Sequence, residues 1–305
     1  MKIPAWLMFT AFSVVGFGLN AAFIEIPEKF YHPGFPTTLG YVVWSATMVA
    51  CAMIAMQRAR WRLQHTRAAV LYGGGMGLLG AGGQMLCFVA LRQGPAYIII
   101  PIVSLYPIVT VVLALLLLRE RVRLLGSLGV ITAFVAILLL SLDESSGPSA
   151  RGWAWLVWCI AAMLMWGTQG WLIKRSAYSL TEEGVFVYMA AGAIALAPIA
   201  VLMTDFSVPI NYTLTGPWLA ALIQFPNALA ALLSIYAYRA GKLIIVAPII
   251  ALYPVITIVV SLLLYHRLPT FRTFLGFVIA IAAILLIVLS EISQKPSDTL
   301  TLETS

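Results

Sequence analysis

The sequence predicts an all-α membrane protein with ten transmembrane helices, arranged as two inverted five-helix repeats. Three observations predict it. Only 10% of the 305 residues are charged, while 62% are hydrophobic. A soluble domain carries about 25% charged residues, so these are too few to cover a water-facing surface. Apolar stretches recur along the chain, among them VVLALLLL (111–118), FVAILLLSL (134–142) and IAIAAILLIVLS (279–290). They sit inside longer runs of about 20 residues, the length a helix needs to cross a bilayer. Finally, one unusual phrase is written twice: IPIVSLYPIVT (100–110) returns as APIIALYPVIT (247–257).

The first span, 4–24, follows Lys2, and its apolar run continues through Ile24. It is expected to stay as an uncleaved helix, since the run outlasts a signal-peptide core of about 7–15 residues. Spans two and three, 36–56 and 68–90, flank a basic loop holding Arg58, Arg60 and Arg62. Within span three, GMGLLG (75–80) satisfies G-x-G-x-x-G. A dinucleotide loop must follow a strand and open a soluble helix. Inside an apolar span, with Gly73 and Gly77 four apart, the glycines predict close helix packing instead.

Spans four and five, 96–118 and 123–142, are joined by Arg119-Glu120-Arg121. Polar DESSGPSAR then separates five spans from five. Residues 1–142 form the first repeat, 143–151 the linker and 152–290 the second repeat. The second set of spans runs 152–173, 184–203, 215–238, 243–265 and 271–290. Residues 291–305 read as a disordered polar tail. A β-barrel is excluded because the apolar runs are continuous rather than alternating. Cys51, Cys87 and Cys159 lie inside apolar stretches and read as small core residues.

The duplication extends beyond the quoted phrase. Between 90–110 and 237–257, ten of 21 positions are identical at an offset of 147, including Pro101/Pro248, Tyr106/Tyr253, Pro107/Pro254 and Thr110/Thr257. Composition alone accounts for roughly two. A repeat of five helices must enter the membrane from opposite sides in its two copies, which predicts inverted topology. Thirteen of the 18 Lys and Arg residues fall in segments on the N-terminal side and five on the other. That bias puts both termini in the cytoplasm. It also explains the net charge of +7 through loops facing anionic lipid, with no need for nucleic acid.

Each proline removes a donor from its helix. Pro101 and Pro107 free the carbonyls of Tyr97 and Val103, and Pro248 and Pro254 free those of Ile244 and Ile250. In lipid, a freed carbonyl needs a partner or a wet cavity. The recurrence in both halves predicts bent helices that line a cavity and act as gates. Polar residues at membrane depth include Asn20, Gln84, Ser104, Trp166, Thr168, Gln169, Gln224 and Asn227. Such groups face the bundle interior, as substrate contacts or as interhelical hydrogen bonds. Gln224 and Asn227, three apart, share a helical face. No Asp, Glu, Lys or Arg falls mid-span, which argues against a proton relay through a central carboxylate. Ser104 has no His or carboxylate at its depth to activate it. No enzyme activity, metal or cofactor is expected.

At these residues the chain resembles the drug/metabolite transporter superfamily in its ten-helix, EamA-type branch. The resemblance rests on the tandem repeats, the Pro-rich starts of spans four and nine, LYPIVTVVLALLLLRERV (105–122), and Trp166-Gly167 in span six. Glu120 matches the short acidic motif that follows the family's apolar run. His266-Arg267 departs from that motif in the second copy, and Val15-Gly16 stands where Trp-Gly is usual. The resemblance implies an inner- or plasma-membrane carrier of small metabolites, many members exporting amino acids. It also implies a cavity between the halves, lined by position with Asn20, Gln84, Ser104, Tyr106, Trp166, Gln169, Gln224, Asn227 and Tyr253.

The expectation is therefore a secondary transporter exporting a small amphipathic metabolite, an amino acid or related compound, by alternating access. Pro101, Pro107, Pro248 and Pro254 would shape its gates. The alternatives are a lipophilic or lipid-linked substrate, a channel, or a scaffold that transports nothing. Its partners would be a small-molecule substrate and the bilayer, with a homodimer left open.

Overall fold

The computed structural model describes residues 4–24, 26–93, 99, 102–141, 154–265 and 270–292. The helices are α1 (Ala5–Phe23), α2 (Thr37–Arg58), α3 (Arg67–Gln93), α4 (Tyr106–Leu116), α5 (Leu124–Ser141), α6 (Ala154–Arg175), α7 (Glu182–Leu202), α8 (Leu219–Ala240), α9 (Leu243–Ile250), α10 (Pro254–Tyr265) and α11 (Phe271–Ile292). No strand occurs among the described residues. Among the described residues, six helices are long and apolar enough to cross a membrane, and four further apolar helices are shorter. Pro101, Glu25 and DESSGPSAR lie outside the described residues. α11 carries on through Glu291 and Ile292, the first two residues of the segment expected as a tail, and residues 293–305 lie outside the described residues.

Span nine breaks where a bend was expected. The helix α9 ends at Ile250, Ala251–Tyr253 form a turn, and Pro254 opens α10. Because Pro254 has no N–H for the Ile250 carbonyl, the chain tightens. Tyr253 N–H donates to that carbonyl at 3.1 Å, and Leu252 N–H donates to Ile249 at 3.0 Å. As the first residue of a helix, Pro254 loses nothing by lacking a donor. The first half repeats the device. Leu105 N–H donates to Ile102 at 3.1 Å ahead of α4, and Pro107 sits in that helix's first turn. The Ile250 carbonyl is therefore satisfied locally rather than by a cavity.

Packing runs mostly between the two halves. α1 lies on α8 as α6 lies on α3, and α2 lies on α8 as α7 lies on α3. α4 meets α6 as α9 and α10 meet α1, while α2·α7 and α5·α11 join counterparts directly. Each of these contacts thus has its equivalent when the halves are exchanged.

The equivalence reaches single bonds. Thr110 Oγ1 donates to the Gly167 carbonyl at 2.8 Å, and Thr257 Oγ1 donates to the Gly18 carbonyl at 3.1 Å. A Cβ on Gly167 would come within 2.7 Å of the Tyr106 carbonyl oxygen, and one on Gly18 within 2.9 Å of the Tyr253 carbonyl oxygen. Only glycine lets these backbones approach so closely. The glycines of α3 serve the same purpose: Gly77 and Gly192 place the backbones of α3 and α7 in direct contact.

All eight residues of α9 are buried. A helix apolar on every side belongs inside the bundle, and α9 packs among α1, α4, α5, α6 and α8. Exposed Leu71, Leu116, Leu202, Leu222 and Leu263 give the outside an apolar surface, as lipid requires.

Candidate functional site

Near the C-terminal end of α1, Asn20 faces α8 across a close helix crossing. Gly16 makes the crossing possible, since a Cβ there would stand 2.8 Å from the Pro226 carbonyl oxygen. Pro226 lies between Gln224 and Asn227 inside α8. From α2 come Tyr41 and Trp44, and from α3 come Gln84 and Phe88. Together these residues line a cleft of ≈ 60 Å³, capped by Ile24, Pro27, Phe35, Pro36 and Thr37. That volume is well below the roughly 300 Å³ at which small-molecule sites begin.

One hydrogen-bonded chain crosses the cleft wall. Trp44 Nε1 donates to Asn227 Oδ1 at 2.8 Å, and Asn227 Nδ2 donates to Asn20 Oδ1 at 3.1 Å. Asn20 Nδ2 then donates to the Ile223 carbonyl at 3.0 Å and to Gln224 Oε1 at 2.9 Å. Gln84 makes no hydrogen bond among the described residues. None of the described residues lining the cleft is charged. The site can exchange hydrogen bonds and apolar contacts, and among the described residues no group of three or more His, Cys, Asp or Glu could hold a metal.

Below the amides lies an aromatic layer. Phe17, one turn before Asn20, meets Tyr253 with ring centroids 6.3 Å apart. The Tyr106 and Tyr238 side chains lie near each other, and the Tyr106 ring meets Trp166 edge-on at 6.1 Å.

The opposite end of the seam is ionic. A wide turn after α4 places Arg119 in the left-handed region at φ 54° and bonds Glu120 N–H to the Ala114 carbonyl at 3.1 Å. Glu120 Oε2 accepts the Ile244 N–H at 3.0 Å, capping α9, and Oε1 lies 3.8 Å from Lys174 Nζ. Lys174 also donates to the Gly241 and Arg239 carbonyls. Arg239 donates to the Leu180 carbonyl at 2.6 Å and to Ser176 Oγ at 3.1 Å, and it pairs with Glu182 at 3.6 Å. Tyr236 donates to Glu183.

Of the nine residues expected to line a cavity, the cleft gathers Asn20, Gln84, Gln224 and Asn227. Tyr106, Trp166 and Tyr253 belong to the aromatic layer beneath. Trp166 Nε1 and Gln169 Nε2 bind the Gly80 and Met76 carbonyls at 3.1 and 3.0 Å, tying α6 to α3. Ser104 is buried outside the cleft. Of the prolines, Pro248 lies inside α9, while Pro107 and Pro254 open helices.

Residues 4–142 and 153–289 both match the EamA-like transporter family. The chain belongs to that family. It is accordingly a multi-pass membrane protein of a transporter family. A solved crystal structure, described only as that of a protein, has the same fold: TM-score 0.76 at 17% identity, over 96% of this chain and 98% of the other. Uncharacterized protein MJ1333.1 of Methanocaldococcus jannaschii is 37% identical over 62 residues, 20% of this chain and 45% of that protein. The chain thus spans less than half the length of this curated relative.

In this EamA-family chain, Trp44, Tyr41 and Phe88 line the cleft and Tyr238 lies near Tyr106, though nothing singled them out in the sequence. Trp44 carried a faint signal, because an indole N–H inside an apolar span needs an acceptor. Lys174 and Arg239 entered the sequence reading only through the Lys and Arg count that sets orientation.

Proposed function

We propose that the chain is a secondary transporter that moves a small amphipathic metabolite, an amino acid or related compound, outward across the inner or plasma membrane by alternating access. The carrying observation is the neutral, amide-lined cleft at one end of a seam whose other end is held shut by ion pairs. Residues 1–142 and 152–290 act as two inverted repeats of a ten-span bundle. Supporting this, a Cβ at Gly241 would lie 3.2 Å from the side chain of Trp6, at the start of α1, while Lys174, at the end of α6, bonds the Gly241 carbonyl. The counterpart helices α1 and α6 therefore run in opposite directions. With both termini cytoplasmic, the cleft opens outward and the ionic end faces the cytoplasm. Its partners are the substrate and the lipid.

Counterflow in proteoliposomes with a panel of amino acids, at matched and unmatched pH, tests the reading. A preloaded amino acid should drive uptake of its labelled form. Unsaturable current without counterflow would make the protein a channel. Asn227→Leu should insert normally and lose most of its flux, and normal flux would remove the cleft from the pathway. Pro254→Ala supplies the missing N–H at the break between α9 and α10. It should alter counterflow more than expression, and unchanged counterflow would remove that break from the gating step.

A further inference from the structure

The amide chain of the cleft has a fixed sense, and we propose that this sense makes the cleft a receptor for the carboxylate or carbonyl end of its solute, with Trp44 as the positioning residue. The inference rests on the cleft being the substrate site.

An indole N–H only donates, and a backbone carbonyl only accepts. The bond from Trp44 Nε1 therefore obliges Asn227 to present its oxygen, at 2.8 Å. The nitrogen of Asn227 must then turn to Asn20, whose oxygen receives it at 3.1 Å. At the far side, Asn20 Nδ2 is pinned by the Ile223 carbonyl at 3.0 Å. Exchanging oxygen and nitrogen in either asparagine would set donor against donor at Trp44 or acceptor against acceptor at Ile223. The assignment is thus settled from both ends by groups that cannot change role.

What remains to the chain is a donor. Gln224 receives its bond on Oε1, at 2.9 Å. Its Nε2 makes no hydrogen bond among the described residues, although Gln224 lines the cleft and is only 7% exposed. Bonds aligned head to tail polarise one another, which strengthens this terminal donor. A solute carboxylate or carbonyl supplies the missing acceptor. An ammonium would meet N–H groups there, donor against donor, and neither would gain an acceptor. Gln84 can rotate to offer either of its atoms, so it does not decide the sense. Without a Lys or Arg among the described lining, the site suits the acid end of a zwitterion better than a free polyanion.

The test uses the full chain in lipid nanodiscs and calorimetric titration with three solutes sharing one branched alkyl tail: L-leucine, 4-methylpentanoate and 3-methylbutylamine. Leucine and the acid should bind at least about tenfold more tightly than the amine, the factor expected for one charge-assisted hydrogen bond. Trp44→Phe keeps a ring but removes the N–H that sets the sense. It should insert normally and lose the preference for acid over amine, whereas a purely structural role would lower all affinities together. Gln224→Glu should turn the preference toward the amine. Equal or tighter binding of the amine by the unmodified protein would overturn this inference and leave the transporter reading standing. No binding of any of the three at millimolar concentration would remove the amphipathic-metabolite reading and this inference with it.

Discussion

One end of the seam is closed by charges and the other is lined by amides, and the two ends leave very different amounts of bonding capacity unspent. At the ionic end, Glu120 caps α9, Lys174 covers two carbonyls, and Arg239 binds two carbonyls, a hydroxyl and a carboxylate. The Arg239 side chain is only 6% exposed. A buried charge tolerates nothing less, because each unmade bond costs its full desolvation. At the amide end, Gln84 and Gln224 Nε2 face a small cleft without partners among the described residues. Neutral amides can wait for a ligand at modest cost. The difference teaches how the two ends are built: the charged groups are bonded on every side the packing offers, while the amide set is left partly unsatisfied and open, as the proposed site of entry requires.

The sharpest way to break this contrast is Arg239→Ala, which strands Glu182 and the Leu180 carbonyl. Glu182 keeps 31% of its side chain exposed, so the cost comes from the lost bonds of a nearly buried guanidinium, about 1.5–3 kcal/mol. Denaturant titration in detergent should show a loss of that order, and a loss below about 1 kcal/mol would mean that the ionic end does not seal the molecule. Next is Glu120→Ala, which removes the cap on Ile244 N–H and should cost about 1–2 kcal/mol. Glu120→Gln, which keeps an acceptor, should recover part of it. Equal loss in both variants would assign the effect to the Lys174 pair alone.

Arg119 holds a left-handed backbone at φ 54°, a conformation costing a side-chain-bearing residue about 1 kcal/mol that glycine avoids. Arg119→Gly should raise stability by up to about that amount in the same titration. No gain would show that the arginine side chain offsets its own strain. Smallest in stability is Gln84→Leu. It breaks no hydrogen bond among the described residues, so the change should stay within about 0.5 kcal/mol, while counterflow falls. A large loss of stability would mean that Gln84 supports the helices rather than the solute.

The helices were readable because each follows from composition within about 20 consecutive residues. The glycine packing of α3 and the acid at Glu120 were readable as residue types, though not as contacts. Thr110 and Thr257 stood out as a repeated pair, yet the Gly167 and Gly18 carbonyls they reach belong to the opposite half. The break at Ala251–Tyr253 was foreshadowed by Pro254 but read as a bend, because a proline shows which bond is lost and not how the chain repairs it. Trp166 and Gln169 illustrate the same limit. Their depth was apparent, but whether their N–H groups would meet a solute or the carbonyls of α3 depended on how closely two helices cross.

By itself, then, the sequence determined the membrane class, the helices, the duplication and the family, since all of these rest on local apolar length and on spacing along one chain. Only the tertiary structure decided which amides meet. Asn20 and Asn227 are 207 residues apart, and Trp44 and Asn227 are 183 apart. A hydrogen bond works over about 3 Å, so these partners are set by the register at which helices from opposite halves cross, a quantity that no single segment contains.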